Sequence, residues 1–236
     1  MELLSFGKGN AKLNGEATPI YTFSLPAGWA CPGAKDCLAK AARDTGKITD
    51  GPDTTFRCFA ASMEYQPSVR NSRWRNFDML RAAKTREAMA SLLIASLPRE
   101  AQLVRIHVSG DFFSPTYFRA WADTARAKPS VIFYAYTKSV DYLPARATLP
   151  SNLRITVSDG TRFDIAKARK LGYAVASVAF DLNGPLPIDH DDSHAIAADR
   201  DFALLIHGTQ PKGSDAAAAL KAVKASGFAG YGKKVA

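Results

Sequence analysis

Five apolar segments from residue 103 onward constrain the fold of the chain more than any other feature of the sequence. They are residues 103–111, 131–138, 153–160, 173–180 and 202–208, and each is rich in β-branched or aromatic side chains. Segments of this length and composition predict strands. Helical patterns separate most of them, with Ser114 and Pro115 starting one helix and Gly172 ending another. Strands that alternate with helices predict a mainly parallel sheet with right-handed crossovers.

This alternation predicts a single α/β domain. We expect a partial or full α/β barrel, and an open doubly wound sheet is the alternative. The chain has 236 residues, of which 47% are hydrophobic, so it can bury the core of one large domain. Residues 1–66 form a loop-rich N-terminal region that carries the cysteines. Residues 67–236 hold a long helix, expected over 68–96, followed by the βα repeats.

Polar side chains stand where the predicted strands end. Because the carboxyl ends of parallel strands share one face, we expect five of them around one opening: Asp111, Lys138, Asp159, Asp181 and His207. Short polar residues also serve in such loops as turn formers and helix caps. A lysine after an apolar strand can bind an anion or, when desolvated, carry a proton. Lys138 and Asp159 are therefore our candidates for substrate binding or proton transfer.

The chain has three cysteines, Cys31, Cys37 and Cys58. Their gaps of five and twenty residues differ from zinc ribbons, which use short paired spacings. Three thiolates that leave one metal position open suit an iron–sulfur cluster. The interpretations are an iron–sulfur centre, a zinc ion, or three buried inert thiols.

The segment DHDDSH, at residues 189–194, holds two histidines among three aspartates. On a helix, His190 and His194 would share one face and could supply a fourth metal ligand. The alternative is an exposed acidic turn before the last strand.

The formal net charge of +9 favours acidic partners. Turning the predicted helix at about 100° per residue places four cations along one arc: Arg70, Arg73, Arg81 and Lys84. Trp74 and Phe77 lie between or beside them, and cations interleaved with aromatics suit nucleic acid or a nucleotide. The alternative is that the two aromatics form the core stripe of the helix. We find neither a signal peptide nor an apolar run of about 18 residues, so we expect a soluble, cytoplasmic protein without membrane contact.

Several long segments resemble the bacteriophage family called gene product 88. They are FSLPAGWACPGAKDC at 23–37, FRCFAA at 56–61, RIHVSGDFFSPTYFRAWADTARAKPSVIFYAYTKS at 105–139, DHDDSHA at 189–195 and DFALLIHGTQPKGS at 201–214. The resemblance covers nearly the whole chain. It implies a phage or prophage protein that works in the bacterial cytoplasm.

The chain is more distantly similar to radical SAM enzymes. Those enzymes hold a 4Fe-4S cluster on three cysteines after the first strand of a partial barrel, and their next strand ends in a Gly-Gly-Glu type motif that meets S-adenosylmethionine. The resemblance implies that Cys31, Cys37 and Cys58 hold the cluster. It also implies that Ser109, Gly110 and Asp111 approach the cofactor. The cysteine gaps are longer here and an aspartate replaces the glutamate, so a barrel that keeps the cluster without the radical chemistry is the alternative.

These features predict a phage-derived iron–sulfur protein, a divergent radical-SAM-like enzyme that acts on a nucleotide, nucleic acid or other anionic substrate. The rival hypothesis is a non-catalytic phage protein. In that protein a zinc or iron–sulfur centre would stabilise the N-terminal region, and the basic helix would bind nucleic acid or a host protein.

Overall fold

The computed structural model describes residues 2–9 and 19–227. Within those residues the strands are β1 (Gly7–Lys8), β2 (Ile20–Ser24), β3 (Ala39–Ala41), β4 (Ile48–Asp50), β5 (Leu103–Ser109), β6 (Ile132–Thr137), β7 (Leu153–Ser158), β8 (Ala174–Ala179) and β9 (Phe202–Leu205). The α-helices are α1 (Phe59–Met63), α2 (Pro67–Ala83), α3 (Arg86–Ser96), α4 (Pro115–Ala127), α5 (Ile165–Lys170), α6 (Ser193–Ala197) and α7 (Asp215–Ala225). All five strands expected from residue 103 onward are present.

The main sheet has seven strands in the order β1-β2-β5-β6-β7-β8-β9. β1 runs antiparallel to β2, and every other neighbouring pair is parallel. The parallel strands follow one another in chain order, whereas a doubly wound sheet reverses its order in the middle. The doubly wound alternative is therefore wrong. Among the described residues β1 and β9 are the sheet edges and do not pair with each other, so the full barrel is not formed there.

A layer of helices packs on one face of the sheet. Tyr117, Phe118 and Trp121 of α4 are buried in one core cluster with Phe23 of β2 and Phe133 of β6. The sequence starts α4 sharply, because Pro115 occupies its first turn and the Ser114 hydroxyl accepts a hydrogen bond from the Tyr117 amide at 3.1 Å. This helix layer covers one face of the central strands, which explains the apolar side chains that they direct towards it.

The other face of the sheet is closed at one end by the short helix α6. Its Ala195 packs with Leu103, Tyr134 and Phe202 in a second core cluster. Leu103 and Phe202 are the first residues of their strands, so α6 covers the amino-terminal end of this face. The face stays open at the carboxyl ends of the strands.

The helix expected over 68–96 is two helices, α2 and α3. Lys84 has a φ of 57°, and the Thr85 amide donates to the Ala83 carbonyl at 2.6 Å. This tight turn with positive φ interrupts the helix. The Thr85 hydroxyl then caps α3 by accepting from the Ala88 amide at 3.2 Å.

The described part of residues 1–66 is mostly loops. Within it, β3 and β4 pair antiparallel between the second and third cysteines and form a short hairpin. Among the helices of the described chain, none is long and apolar enough to span a bilayer.

Candidate functional site

A cavity of about 570 Å³ lies at the carboxyl ends of the parallel strands. All three cysteines line it, together with Ser109, Gly110 and Asp111 at the end of β5 and Lys138 after β6. His207, after β9, lines the same cavity. Parallel α/β folds bind their ligands at this edge. The structure thus brings most of the predicted site residues to the edge where a ligand is expected.

The loop between Cys31 and Cys37 rests on the ends of two strands. The Gly160 carbonyl accepts hydrogen bonds from the amides of Lys35 at 3.2 Å and Asp36 at 3.1 Å. The Gly33 carbonyl accepts from the Arg162 amide at 2.9 Å. A Cβ at Gly33 would lie 2.1 Å from the Lys138 carbonyl oxygen, so only glycine permits this close approach. These contacts hold the first two cysteines over the ends of β6 and β7.

The three thiols are close enough to affect one another's ionisation. Burial raises the pKa of Cys31 well above its ordinary value, and the charges of Asp111, Cys58 and Cys37 raise it further. Burial raises the pKa of Cys37 to about 11, opposed by the Lys138 ammonium. Burial also raises the pKa of Cys58, while backbone amides of Ala60 and Ala61 in α1 lower it. A metal binding here would have to displace three protons.

In the part of the chain that the structure describes, no three Cys, His, Asp or Glu side chains are arranged to hold a single metal ion. The three cysteines are free and half-buried. They share one cavity wall without forming a closed coordination shell.

Asp111 is buried and largely satisfied by its own chain. Its Oδ1 accepts from the Phe112 amide at 2.7 Å and the Thr137 hydroxyl at 2.6 Å, and its Oδ2 accepts from the Lys138 amide at 2.8 Å. A carboxylate has about four acceptor sites, so one remains on Oδ2. Burial raises the Asp111 pKa to about 6. The carboxylate that we expected to orient a cofactor therefore also joins the end of β5 to the end of β6.

Lys138 is a buried cation beside the thiols. Its Nζ donates to the Ser158 hydroxyl at 2.6 Å and to the Asp159 carbonyl. The Asp159 carboxylate is exposed and accepts from the Gly160 amide at 2.7 Å. Of this pair, the side chain that lines the cavity is that of Lys138.

The last two strand-end predictions have different outcomes. Asp181 is exposed and caps a turn by accepting from the Asn183 amide at 2.8 Å, so it serves as a turn former. The His207 ring lies 4.6 Å from the Phe59 ring, and its Nδ1 is 2.9 Å from the Leu205 carbonyl.

Glu64 and Arg73 form a buried ion pair behind the cysteines that our sequence reasoning missed. Glu64 is fully buried, and its Oε1 accepts from Arg73 at 2.8 Å and from the Ala27 amide at 2.7 Å. Arg73 also donates to the Ala60 carbonyl at 2.8 Å. The pair thus connects α2, α1 and the loop that leads to Cys31. A lone glutamate within a strongly basic segment was the available signal.

The basic arc of the long helix is not a single surface. Arg70 and Arg73 are only 5% and 7% exposed. The Arg70 guanidinium donates to the carbonyls of Arg43, Asp44 and Glu64. Arg81 and Lys84 are exposed. Two of the four predicted cations, Arg70 and Arg73, therefore bind groups inside the fold and do not lie on an outer surface with the other two.

The DHDDSH segment matches neither of its two interpretations. Asp192 is fully buried and pairs with Arg105 of β5 at 2.7 Å. It also accepts from the hydroxyls of Tyr134 at 3.0 Å and Tyr136 at 3.2 Å. His190 precedes α6, so the two histidines do not share a helix face. A charged residue inside a strand covered on both faces was the signal for such a pair.

His107 lies in the cavity wall in a strained conformation. Its φ is 65° within β5, where the register with β2 shifts. The ring is buried between aromatic side chains, with Nε2 3.1 Å from the Tyr117 hydroxyl. Strained residues of this kind concentrate at functional sites.

The fold and the site together define a mostly parallel α/β protein with a cysteine-lined cavity at the carboxyl edge of its sheet. The model of the family "Gene product 88" matches residues 3–226. The chain therefore belongs to the gene product 88 family.

Two relatives come from mycobacteriophages. The chain is similar to the Gene 88 protein of Mycobacterium phage L5, with 30% identity over 50% of this chain and 47% of the relative. It is also similar to the Gene 88 protein of Mycobacterium phage D29, with 30% identity over 62% of this chain and 60% of the relative. The matches thus span less than two thirds of either relative. No solved structure matches the chain.

Proposed function

We propose that this chain is an iron–sulfur enzyme on a radical-SAM-like partial barrel, and that it acts on a small anionic substrate. The observation that carries the proposal is the convergence of Cys31, Cys37 and Cys58 on one cavity at the carboxyl ends of parallel strands. The strand order supports it, because parallel strands that follow chain order without reversal are the arrangement of a barrel or of part of one.

The donor set suits a cluster better than a single zinc ion. A tetrahedral zinc site with bonds of about 2.3 Å holds its sulfurs within about 4 Å of one another, and the described residues offer no such arrangement. In a cluster each thiolate binds a different iron, so its sulfurs are spread more widely. Three thiolates would leave one iron open for a further ligand.

Lys138 supplies positive charge where thiolates would form. Its ammonium lowers the pKa of Cys37 and of Cys58, so it stabilises their anionic forms. Its contacts with Ser158 and Asp159 hold it in that position. Loss of this charge would weaken metal binding without removing a ligand.

A cluster with an open iron supplies one-electron reduction of a bound ligand such as S-adenosylmethionine. The remaining acceptor site of Asp111 and the backbone of Ser109 and Gly110 would hold that ligand beside the thiols. Gly110 has a φ of 81°, and a Cβ there would lie 2.6 Å from Leu25, so a glycine is required at this turn.

The test is anaerobic reconstitution with iron and sulfide, followed by iron analysis, absorption and electron paramagnetic resonance spectra. We expect about four irons per chain, with loss of the cluster in Cys31→Ser, Cys37→Ser and Cys58→Ser. Met63→Leu is the matched control, because Met63 lines the same cavity but is exposed at 45% and carries no thiol. A protein that binds no iron would refute the proposal.

The same preparation separates the alternatives. Cleavage of S-adenosylmethionine after reduction would support the enzyme, whereas a cluster without cleavage would exclude the radical reaction. Zinc retained in place of iron, with unfolding of the Cys58→Ser protein, would favour the rival non-catalytic protein stabilised by its metal.

A further inference from the structure

We propose that the cavity binds a small organic anion with an apolar, ring-sized body, and that Arg105 at the cavity floor holds its anionic group. This names the ligand class of the cavity discussed above. That the ligand is a substrate rests on the proposed function. Its binding to the cavity needs no metal.

Much of the cavity lining is apolar. It includes side chains of β8, of β9 and the residue after it, and of the start of α1 and the segment before it: Phe56, Phe59, Val178, Leu204 and Ile206. Phe56 and Phe180 meet edge to face with centroids 6.2 Å apart, and Phe180 is 37% exposed. A cavity of this size and lining fits a ring-bearing molecule better than a fully polar one.

The charged side chains that line the cavity are mostly cations. Arg57, Arg73, Arg105 and Lys138 contribute to the lining, and Asp111 is the single carboxylate among the described residues that line it. Three of these cations have their counter-charge outside the lining: Arg57 pairs with Asp50, Arg73 with Glu64 and Arg105 with Asp192. Because the cationic ends of these pairs line the cavity, its low-dielectric walls favour a ligand of the opposite sign. The ligand is therefore an anion.

Arg105 is the cation placed deepest in the sheet. It stands opposite Tyr134 in the register of β5 and β6, and Tyr134 belongs to the cluster that α6 closes. Asp192 holds it at 2.7 Å, and its guanidinium lies 5.1 Å from the centroid of the Tyr136 ring. A guanidinium fixed in this way recognises a carboxylate, sulfonate or phosphate with little loss of side-chain entropy.

The distance between the two ends of the cavity limits the ligand. Ser109 lies four residues after Arg105 in β5, which corresponds to roughly 13 Å in a regular strand and to less here because of the bulge. The body of the ligand would lie against Leu204 and Phe59, and its reacting end would face the thiols.

The experiment compares two fluorescent probes that share one aromatic body: anionic anilinonaphthalene sulfonate and uncharged phenylnaphthylamine. We expect the metal-free, folded protein to bind both probes saturably, one per chain. The double variant Arg105→Met/Asp192→Asn removes both charges and so leaves no buried ion unpaired. It should weaken the sulfonate about tenfold, as loss of a charged hydrogen-bonding partner predicts, and leave the uncharged probe unchanged.

A second variant should change the affinity for the sulfonate probe in the opposite direction. Asp192→Asn keeps a side chain of the same shape and removes the charge that competes for Arg105, so the affinity for the sulfonate should rise at least about threefold. Leu204→Ala should weaken both probes equally. Near-ultraviolet circular dichroism is the control that tests whether each variant keeps its packed core.

Equal effects of the double variant on the two probes, or a sulfonate affinity that Asp192→Asn does not raise, would overturn the proposal. These outcomes are independent of the metal. Probe binding as expected in a protein that takes up no iron would refute the proposed function alone. Iron uptake without discrimination between the probes would refute the ligand class alone.

Discussion

His107 combines an unfavourable backbone with an unfavourable site for a charge. A φ of 65° is uncommon for a residue other than glycine. Burial lowers the pKa of its ring from 6.5 to about 3, so the folded protein holds it neutral. The bulge in β5 turns the ring towards Phe112 and Tyr117, away from the position that regular alternation would give it.

His107 makes the folded state sensitive to acid. Below about pH 6.5 the histidine of the unfolded chain becomes protonated, whereas the ring in the folded protein stays neutral. The contribution of His107 to the free energy of unfolding therefore falls as the pH drops from 6.5 towards 3. The free energy of unfolding changes through His107 by at most about 1.4 kcal/mol per pH unit. Asp111, whose pKa is raised to about 6, acts in the opposite direction between about pH 4 and 6.

His107→Asn isolates the histidine, because asparagine tolerates positive φ and does not titrate. We expect the stability difference between wild type and variant, measured by urea unfolding, to shrink from pH 7 to pH 4. The effect of Asp111 cancels in that difference. A difference that stays constant with pH would contradict the assignment.

At the scale of structural elements, the position of the loop that carries Cys31 and Cys37 depends on one close contact between two backbone segments. Gly33 lies against the Lys138 carbonyl, and the loop amides bind Gly160. The loop has little regular structure of its own, so these contacts with strand ends define its position.

Gly33→Ala should displace this loop. Since the added methyl would meet backbone atoms that cannot move freely, we expect a loss of about 2 kcal/mol of unfolding free energy and weaker iron uptake. Gly184→Ala is the matched control, because its Cβ meets nothing within 4 Å. Equal stabilities and equal iron contents of the two variants would show that the approach is not required.

At the scale of the whole molecule, Glu64 and Arg73 join the N-terminal region to the sheet and the helix layer. Ser109 of β5 also approaches Glu64, with its hydroxyl 3.5 Å from Oε1. One carboxylate thus contacts groups from the loop after β2, from α2 and from the end of β5.

Glu64→Gln leaves the Arg73 charge buried without a counter-charge, which should cost about 3 kcal/mol. Hydrogen exchange should then rise across residues 27–64 before it rises in β6 and β7. Asp78→Asn breaks the exposed Arg43–Asp78 pair and should cost less than about 1 kcal/mol. Similar losses in the two variants would mean that Glu64 does not connect the regions.

The sequence by itself determined the five strands from residue 103 onward, their mainly parallel direction, and the caps at Ser114 and Gly172. These follow from periodicity, turn residues and helix caps, which act between neighbours in the chain. The break between α2 and α3 at Lys84 could also have been predicted, because Thr85 is a favourable N-cap residue. We predicted a continuous helix because the residues on both sides of the break favour a helix.

Only the tertiary structure decided which charges are buried and what they pair with. Arg105 meets Asp192 across 87 residues, and Ala27 meets Glu64 across 37. The helix periodicity of Arg70 and Arg73 is the same whether a guanidinium faces solvent or a set of carbonyls. A buried charge is stable only beside its partner, and that partner is brought to it by the packing of distant elements.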